Sequence, residues 1–98
     1  MATFITLANY TAQGVKAVKD SPGRLDSARA GLESAFGVKI KDFYLTMGQY
    51  DIVTVIEAPD MKAAAKALLT LGGQGNVSTV TLAALTEDEF KQAVSELP

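Results

Sequence analysis

Four stretches of the chain carry alternating or β-branched apolar residues, and three others repeat apolar residues at helical spacing. Residues 3–10, Thr-Phe-Ile-Thr-Leu-Ala-Asn-Tyr, predict a first strand. Thr11-Ala12-Gln13-Gly14 opens a short polar connection of one or two helical turns. Ser21-Pro22-Gly23-Arg24 predicts a helix start, with Ser21 as N-cap and Pro22 at the first helical position, where its missing N–H costs nothing. Leu25, Ala28, Leu32, Ala35 and Phe36 follow at helical spacing, and Gly37 stops the helix. Val38 to Met47 predicts a second strand, Gly48-Gln49 a hairpin turn, and Tyr50 to Ala58 a third strand. Asp60 then caps an alanine-rich helix from Met61 to Leu69, closed by Gly72-Gly73. Val77 to Leu85 predicts a fourth strand. Thr86-Glu87-Asp88-Glu89 is a capping box ahead of a short helix carrying Phe90, Val94 and Leu97.

The resulting order is β-α-β-β-α-β plus a terminal helix. Two β-α-β halves joined by a hairpin predict an α+β, ferredoxin-like βαββαβ sandwich with a short C-terminal helix. No linker or low-complexity segment interrupts the chain, so a single domain over 1–98 is expected.

The strands are apolar on both faces. Val53 and Val55 lie opposite Ile52 and Ile56, and Ile5 and Leu7 lie opposite Phe4 and Ala8. Two helices can cover only one face of such a sheet, and a sheet open on one side should alternate apolar with polar residues. The uncovered face predicts a second copy packed sheet against sheet. The competing cover is the C-terminal helix folded back over the strands.

Composition narrows the chemistry more than any motif does. Hydrophobic residues make up 48% of the 98 positions, at the apolar end of the usual range, in a chain that can bury only about two thirds of its unfolded surface. A net charge of −2, with no basic block, leaves no electrostatic footprint for nucleic acid. No apolar run approaches a membrane span, and Met1-Ala2-Thr3-Phe4 is not the start of a signal peptide, so a cytoplasmic location is expected. The absence of cysteine and histidine excludes thiol and Ser-His-Asp catalysis, zinc-thiolate sites and histidine-ligated haem. No metal site and no cofactor are expected.

Four motifs stand in register over this plan: Gly48-Gln49-Tyr50-Asp51, Ser21-Pro22-Gly23-Arg24, Glu57-Ala58-Pro59-Asp60 and Gly75-Asn76-Val77-Ser78-Thr79. Together they give a sequence that resembles the GYD domain family over nearly its full length. The resemblance implies a dimeric α/β-barrel type assembly, in which two ferredoxin-like sheets pack face to face. Related dimeric α/β-barrel families include isomerases, cofactor-free monooxygenases, haem enzymes and binding domains, so fold alone does not select a function.

Asp51 and Tyr50 are the catalytic candidates. A carboxylate beside a buried strand needs a partner. Asp51 is therefore either a general base or a structural acid tied to Arg24, Ser21 or backbone amides. A tyrosine hydroxyl can donate to a substrate oxyanion, although Tyr50, Tyr44 and Tyr10 equally suit packing with the hydroxyl at the rim. Ser21, Arg24, Tyr50, Asp51 and Asn76 form the candidate ligand-binding set, Ser21 and Arg24 because a helix N-terminus beside a guanidinium suits an anion. Gly72-Gly73-Gln74-Gly75 follows a helix and precedes a strand, the reverse of a phosphate loop, so no nucleotide site is read there. The expected partners are a second copy of the chain and a small-molecule ligand, the latter in a small pocket between sheet and helices or at the dimer interface. Two functions compete: an oligomeric small-molecule-binding or assembly domain, and a small cofactor-independent isomerase or oxygenase using Asp51 and a tyrosine.

Overall fold

The computed structural model describes residues 1–98. The elements are β1 (Ala2–Tyr10), α1 (Ala12–Lys16), a 3-10 turn (Val18–Asp20), α2 (Ser21–Phe36), β2 (Lys39–Leu45), β3 (Ile52–Ala58), α3 (Met61–Gly73), β4 (Val77–Ala84) and α4 (Glu87–Ser95). The four strands form one sheet in the order β2-β3-β1-β4, every neighbouring pair antiparallel. This is the ferredoxin-like α+β arrangement. β1 and β3, each N-terminal to a long helix, hold the two central positions.

The strand period of two sorts the side chains. Phe4, Thr6 and Ala8 of β1 and Ile52, Ile56 and Ala58 of β3 are buried beneath the helices. The core gathers Phe4, Ile56 and Ala58 with Val38, Leu32 of α2, and Ala64 and Ala67 of α3. Alanines on α3 let that helix approach the sheet closely, and Asp60 fixes its start by accepting from the Ala63 amide at 2.8 Å. Arg29 of α2 donates to the Ile40 carbonyl, beside the register shift between Ile40 and Asp42 in edge strand β2.

Ile5, Leu7, Val53, Val55, Val80 and Leu82 occupy the other face, aligned across β3, β1 and β4. α4 does not close over them. None of its residues is buried, and Val80 and Leu82 each keep 48% exposure. The chain measures 53 × 32 × 17 Å, and its thinnest axis matches one sheet and one helix layer. Phe90 and Leu97 of the terminal segment are 58% and 68% exposed, so this helix also presents an apolar stripe without an intramolecular partner.

Two local expectations change. Ser21 is not an N-cap: it is already helical, at φ −58° and ψ −44°, because the 3-10 turn Val18–Asp20 runs directly into α2. Its hydroxyl is spent on Tyr10 instead. The β2–β3 connection is also longer than a two-residue hairpin. The Thr46 amide donates to the Asp51 carbonyl at 2.8 Å and the Thr46 hydroxyl to the Tyr50 carbonyl at 2.6 Å, so β3 begins at Ile52.

Two glycines meet different constraints. Gly14 in α1 packs against the loop before β4, and a Cβ there would stand 2.1 Å from the Asn76 carbonyl oxygen. Gly48 has φ +134° but open space around it. Gly14→Ala must displace backbone and should cost about 1–3 kcal/mol. Gly48→Ala carries only the conformational strain, on the order of 1 kcal/mol. Urea unfolding should rank Gly14→Ala as the more damaging, and the reverse order would contradict the seating of α1.

α4 supplies a pH test. The capping box is complete, with the Thr86 amide donating to Glu89 at 2.9 Å and the Glu89 amide donating to the Thr86 hydroxyl at 3.2 Å. The Thr86 amide, and after it the Thr86 side chain, hold the Glu89 carboxyl below its ordinary pKa. A carboxyl lowered in the folded state stabilises the helix above its ordinary pKa, and the gain disappears as pH falls through the lowered one. Carbon chemical shifts of residues 87–95 should therefore report fraying of the first turn on acidification. Glu89→Gln should flatten that response, and an unchanged response in the variant would exclude the box as its source.

Candidate functional site

The helix-facing side of the sheet is too thinly furnished to be filled. Thr6, Ala8, Thr54 and Thr79 stand where larger aliphatic residues would close the space beneath α2 and α3. A cavity of about 130 Å³ remains. Its walls are mostly apolar, with Leu25 of α2, Phe43 of β2 and Leu68 and Leu71 of α3 contributing the larger side chains. Polar groups gather toward one end: Tyr10, Ser21, Arg24, Gln74 and Asn76.

β1 delivers Tyr10 to that end because position 10 is in phase with the buried positions 4, 6 and 8. Tyr10 Oη and Ser21 Oγ share a hydrogen bond of 2.7 Å, which ties the end of β1 to the first turn of α2. Arg24 sits one turn further along the same helix. Its Nη2 is buried and has no hydrogen-bond partner. No carboxylate pairs with it, since the ion pairs of the chain are Lys41–Glu57 and Lys91–Glu87. Arg24 also borders a shallower groove between α2 and the end of α3, alongside Lys19 and Asp20.

The loop carrying Asn76 is stitched to α1. Gln13 donates to the Asn76 side chain at 3.2 Å and to the Gln74 carbonyl at 3.3 Å. Thr11 donates its amide to the Asn76 carbonyl at 3.1 Å and its hydroxyl to the Gly75 carbonyl at 2.6 Å. Asn76 is thereby fixed at the cavity edge.

Asp51 and Tyr50 lie elsewhere. Neither lines the cavity. Asp51 Oδ2 accepts from the Tyr10 amide at 2.9 Å, and the Asp51 amide donates to the Ala8 carbonyl at 2.9 Å and to Asn9 Oδ1 at 3.1 Å. Asp51 thus joins the β2–β3 turn to the end of β1 through its amide and one carboxylate oxygen, while its carbonyl closes the turn by accepting from Thr46. Of the five residues in the ligand-binding set, the structure brings Ser21, Arg24 and Asn76 to one cavity, and separates Tyr50 and Asp51 from it. Tyr10 and Gln74, which lay outside that set, stand beside them. The phase of Tyr10 along β1 was the available signal; Gln74 offered none beyond its polarity.

Comparison with known proteins places these features in a family. A model of the GYD domain matches residues 4–94. A Thermus thermophilus protein named "Glutamine synthetase and cystathionine beta-lyase binding protein" is 39% identical over 85 residues, covering 87% of this chain and 90% of its own.

The Asp51 geometry gives a graded expectation. Asp51→Ala removes an ionised acceptor from a partly buried amide, an interaction worth roughly 1.5–3 kcal/mol. Asp51→Asn keeps an acceptor oxygen and loses only the charge, so its destabilisation should be smaller but of the same sign. Denaturation midpoints read both. A variant more stable than wild type would instead mark Asp51 as strained for function.

Proposed function

Given that the chain belongs to the GYD domain family, we propose that it is a homodimeric binding domain that docks onto metabolic enzymes and carries out no chemistry of its own. The observation that carries this reading is the outer sheet face. Ile5, Leu7, Val53, Val55, Val80 and Leu82 form a continuous apolar surface across three strands with no cover from the chain itself. A second copy meets that surface with the same residues, as a two-fold interface requires. Burying a valine or leucine side chain contributes roughly 1.5–3 kcal/mol, less where it is already half covered, and six per copy add to the drive for pairing against the cost of association. The flanking strand β2 mixes polar and aromatic groups on this face, as the rim of such an interface would: Lys41 pairs with Glu57 at 3.5 Å, and the exposed Tyr44 stands opposite Val53.

The docking part rests on the relative. Its name records binding to glutamine synthetase and cystathionine beta-lyase, and 39% identity over most of both chains supports an enzyme partner of that kind here. The exposed residues Phe90 and Val94 of α4, with Leu97 just beyond it, are an additional apolar surface that a partner can use. The alternative, a cofactor-independent enzyme using Asp51 and a tyrosine, gains no support from the geometry: the Asp51 carboxylate is engaged by the Tyr10 amide, away from the cavity.

Sedimentation at micromolar concentration should show no major monomer. The double variant Leu7→Glu/Val80→Glu should sediment as a folded monomer, because it plants charge at the centre of the face. A monodisperse wild-type monomer would overturn the dimer. For the partner, the immobilised wild-type chain should retain purified glutamine synthetase or cystathionine beta-lyase from its own host, and retention of neither would overturn that assignment.

A further inference from the structure

We infer that the cavity beneath α2 and α3 is a binding site for a small monocarboxylate with an apolar tail, held by the Arg24 guanidinium. This goes beyond the docking function and does not depend on it. Three observations lead to it. The first is charge. Arg24 is the only charged residue in the cavity wall, which contains no aspartate or glutamate. Its Nη2 is buried without a partner, and the two ion pairs of the chain involve other residues. A buried guanidinium nitrogen with nothing to donate to is costly, and such groups are ordinarily paired. A ligand anion supplies the missing acceptor, and a carboxylate matches the guanidinium fork with two parallel hydrogen bonds.

The second observation is the neighbouring pair of hydroxyls. Tyr10 Oη and Ser21 Oγ, 2.7 Å apart, have two protons between them and use one in their mutual bond. The second proton remains available to a ligand oxygen at the same polar end. One cation and one hydroxyl proton suit a monoanion. A phosphate dianion would call for further cations or a nest of free amides, and no lysine lines the cavity.

The third is shape. About 130 Å³, walled mainly by Leu25, Phe43, Ile52, Leu68 and Leu71, is close to the volume of an engineered apolar cavity of about 150 Å³ that takes up benzene. The space accommodates one aromatic ring or a short branched chain. Threonines at positions 6, 54 and 79 keep the floor low, and the apolar walls reject a second charged group on the ligand. The ligand class is therefore an aromatic or branched aliphatic acid without an ionised amine in its tail.

Benzoate and its neutral isostere benzamide test this on the full chain. Benzoate should cause saturable amide shifts in an NMR titration at residues bordering the cavity, among them Thr6, Thr54 and Leu71, and should raise the melting midpoint. Benzamide should bind at least tenfold more weakly. Arg24→Met should lose benzoate binding by at least tenfold while melting no lower than wild type without ligand, since it removes a cation whose buried Nη2 has no partner. Thr54→Leu keeps Arg24 and fills the floor, and should also abolish binding. Equal affinity for benzoate and benzamide, benzoate binding undiminished in Arg24→Met or in Thr54→Leu, or shifts confined to residues outside the cavity would each overturn the site. So would the absence of any saturable benzoate response in the wild type.

Discussion

The hydrogen bond from the Tyr10 amide to the Asp51 carboxylate is the contact on which the rest of the molecule is hung. It lies where three segments meet: the end of β1, the start of β3, and the turn that leads there from β2. An ionised acceptor bonded to a backbone amide is about twice as strong as a neutral one. Asp51 adds its own amide and carbonyl to the same junction. The consequence reaches past the sheet. Fixing the Tyr10 backbone fixes the ring, the ring hydroxyl meets Ser21, and Ser21 begins the helix that carries Arg24. The polar end of the cavity is thus aligned by a carboxylate that does not line it.

The sheet has two faces with opposite deficits. Toward the helices its side chains are too small, and toward the outside they are too apolar. Thr6 and Thr81 illustrate the first. They pair across β1 and β4 at 3.2 Å, satisfying their hydroxyls against each other instead of filling volume. Val53, Val55, Val80 and Leu82 illustrate the second. Underfilling a core loses dispersion contacts, and leaving valine and leucine in water forgoes their burial. In a chain of 98 residues neither is easily offset elsewhere. The proposed small molecule in the cavity answers one deficit, and the proposed second sheet on the outer face answers the other.

The elements were legible because their signals are local. The Asp60 cap, the Thr86 to Glu89 box and the stop at Gly37 each act within a few residues, and all appear as read. The two misreadings share a cause. Ser21-Pro22 looks like a cap and first turn, and Gly48-Gln49 looks like a tight turn, but in each case a distant partner or an additional hydroxyl changed the outcome. Tyr10 claimed the Ser21 side chain, and the Thr46 hydroxyl extended the connection by binding the Tyr50 carbonyl. A small pocket between sheet and helices was among the expectations, but its lining was not legible. Its volume is a sum of omissions on three strands, Thr6, Thr54 and Thr79, and no single omission is visible until pairing brings them side by side. The bareness of Arg24 is likewise a statement about which acids fail to reach it.

The alternation of β1 and β3 has a last consequence. Ile52, Thr54 and Ile56 face the cavity side, while Val53 and Val55, on the same strand, face outward. Adjacent residues therefore serve different surfaces, and a side chain changed on one face leaves the polar groups of the other untouched. The backbone between them is shared. A ligand that drew Arg24 inward would bear on α2, and through the Tyr10–Ser21 bond on the end of β1, which is also an edge of the outward apolar face. Such a link transmits energy only if the ligand distinguishes two arrangements of that junction. The Asp51 clip holds the junction through several bonds at once, and favours a single arrangement. The proposed ligand and the proposed second copy would thus act on opposite faces of one sheet, close in space, with the Asp51 clip between them opposing any coupling.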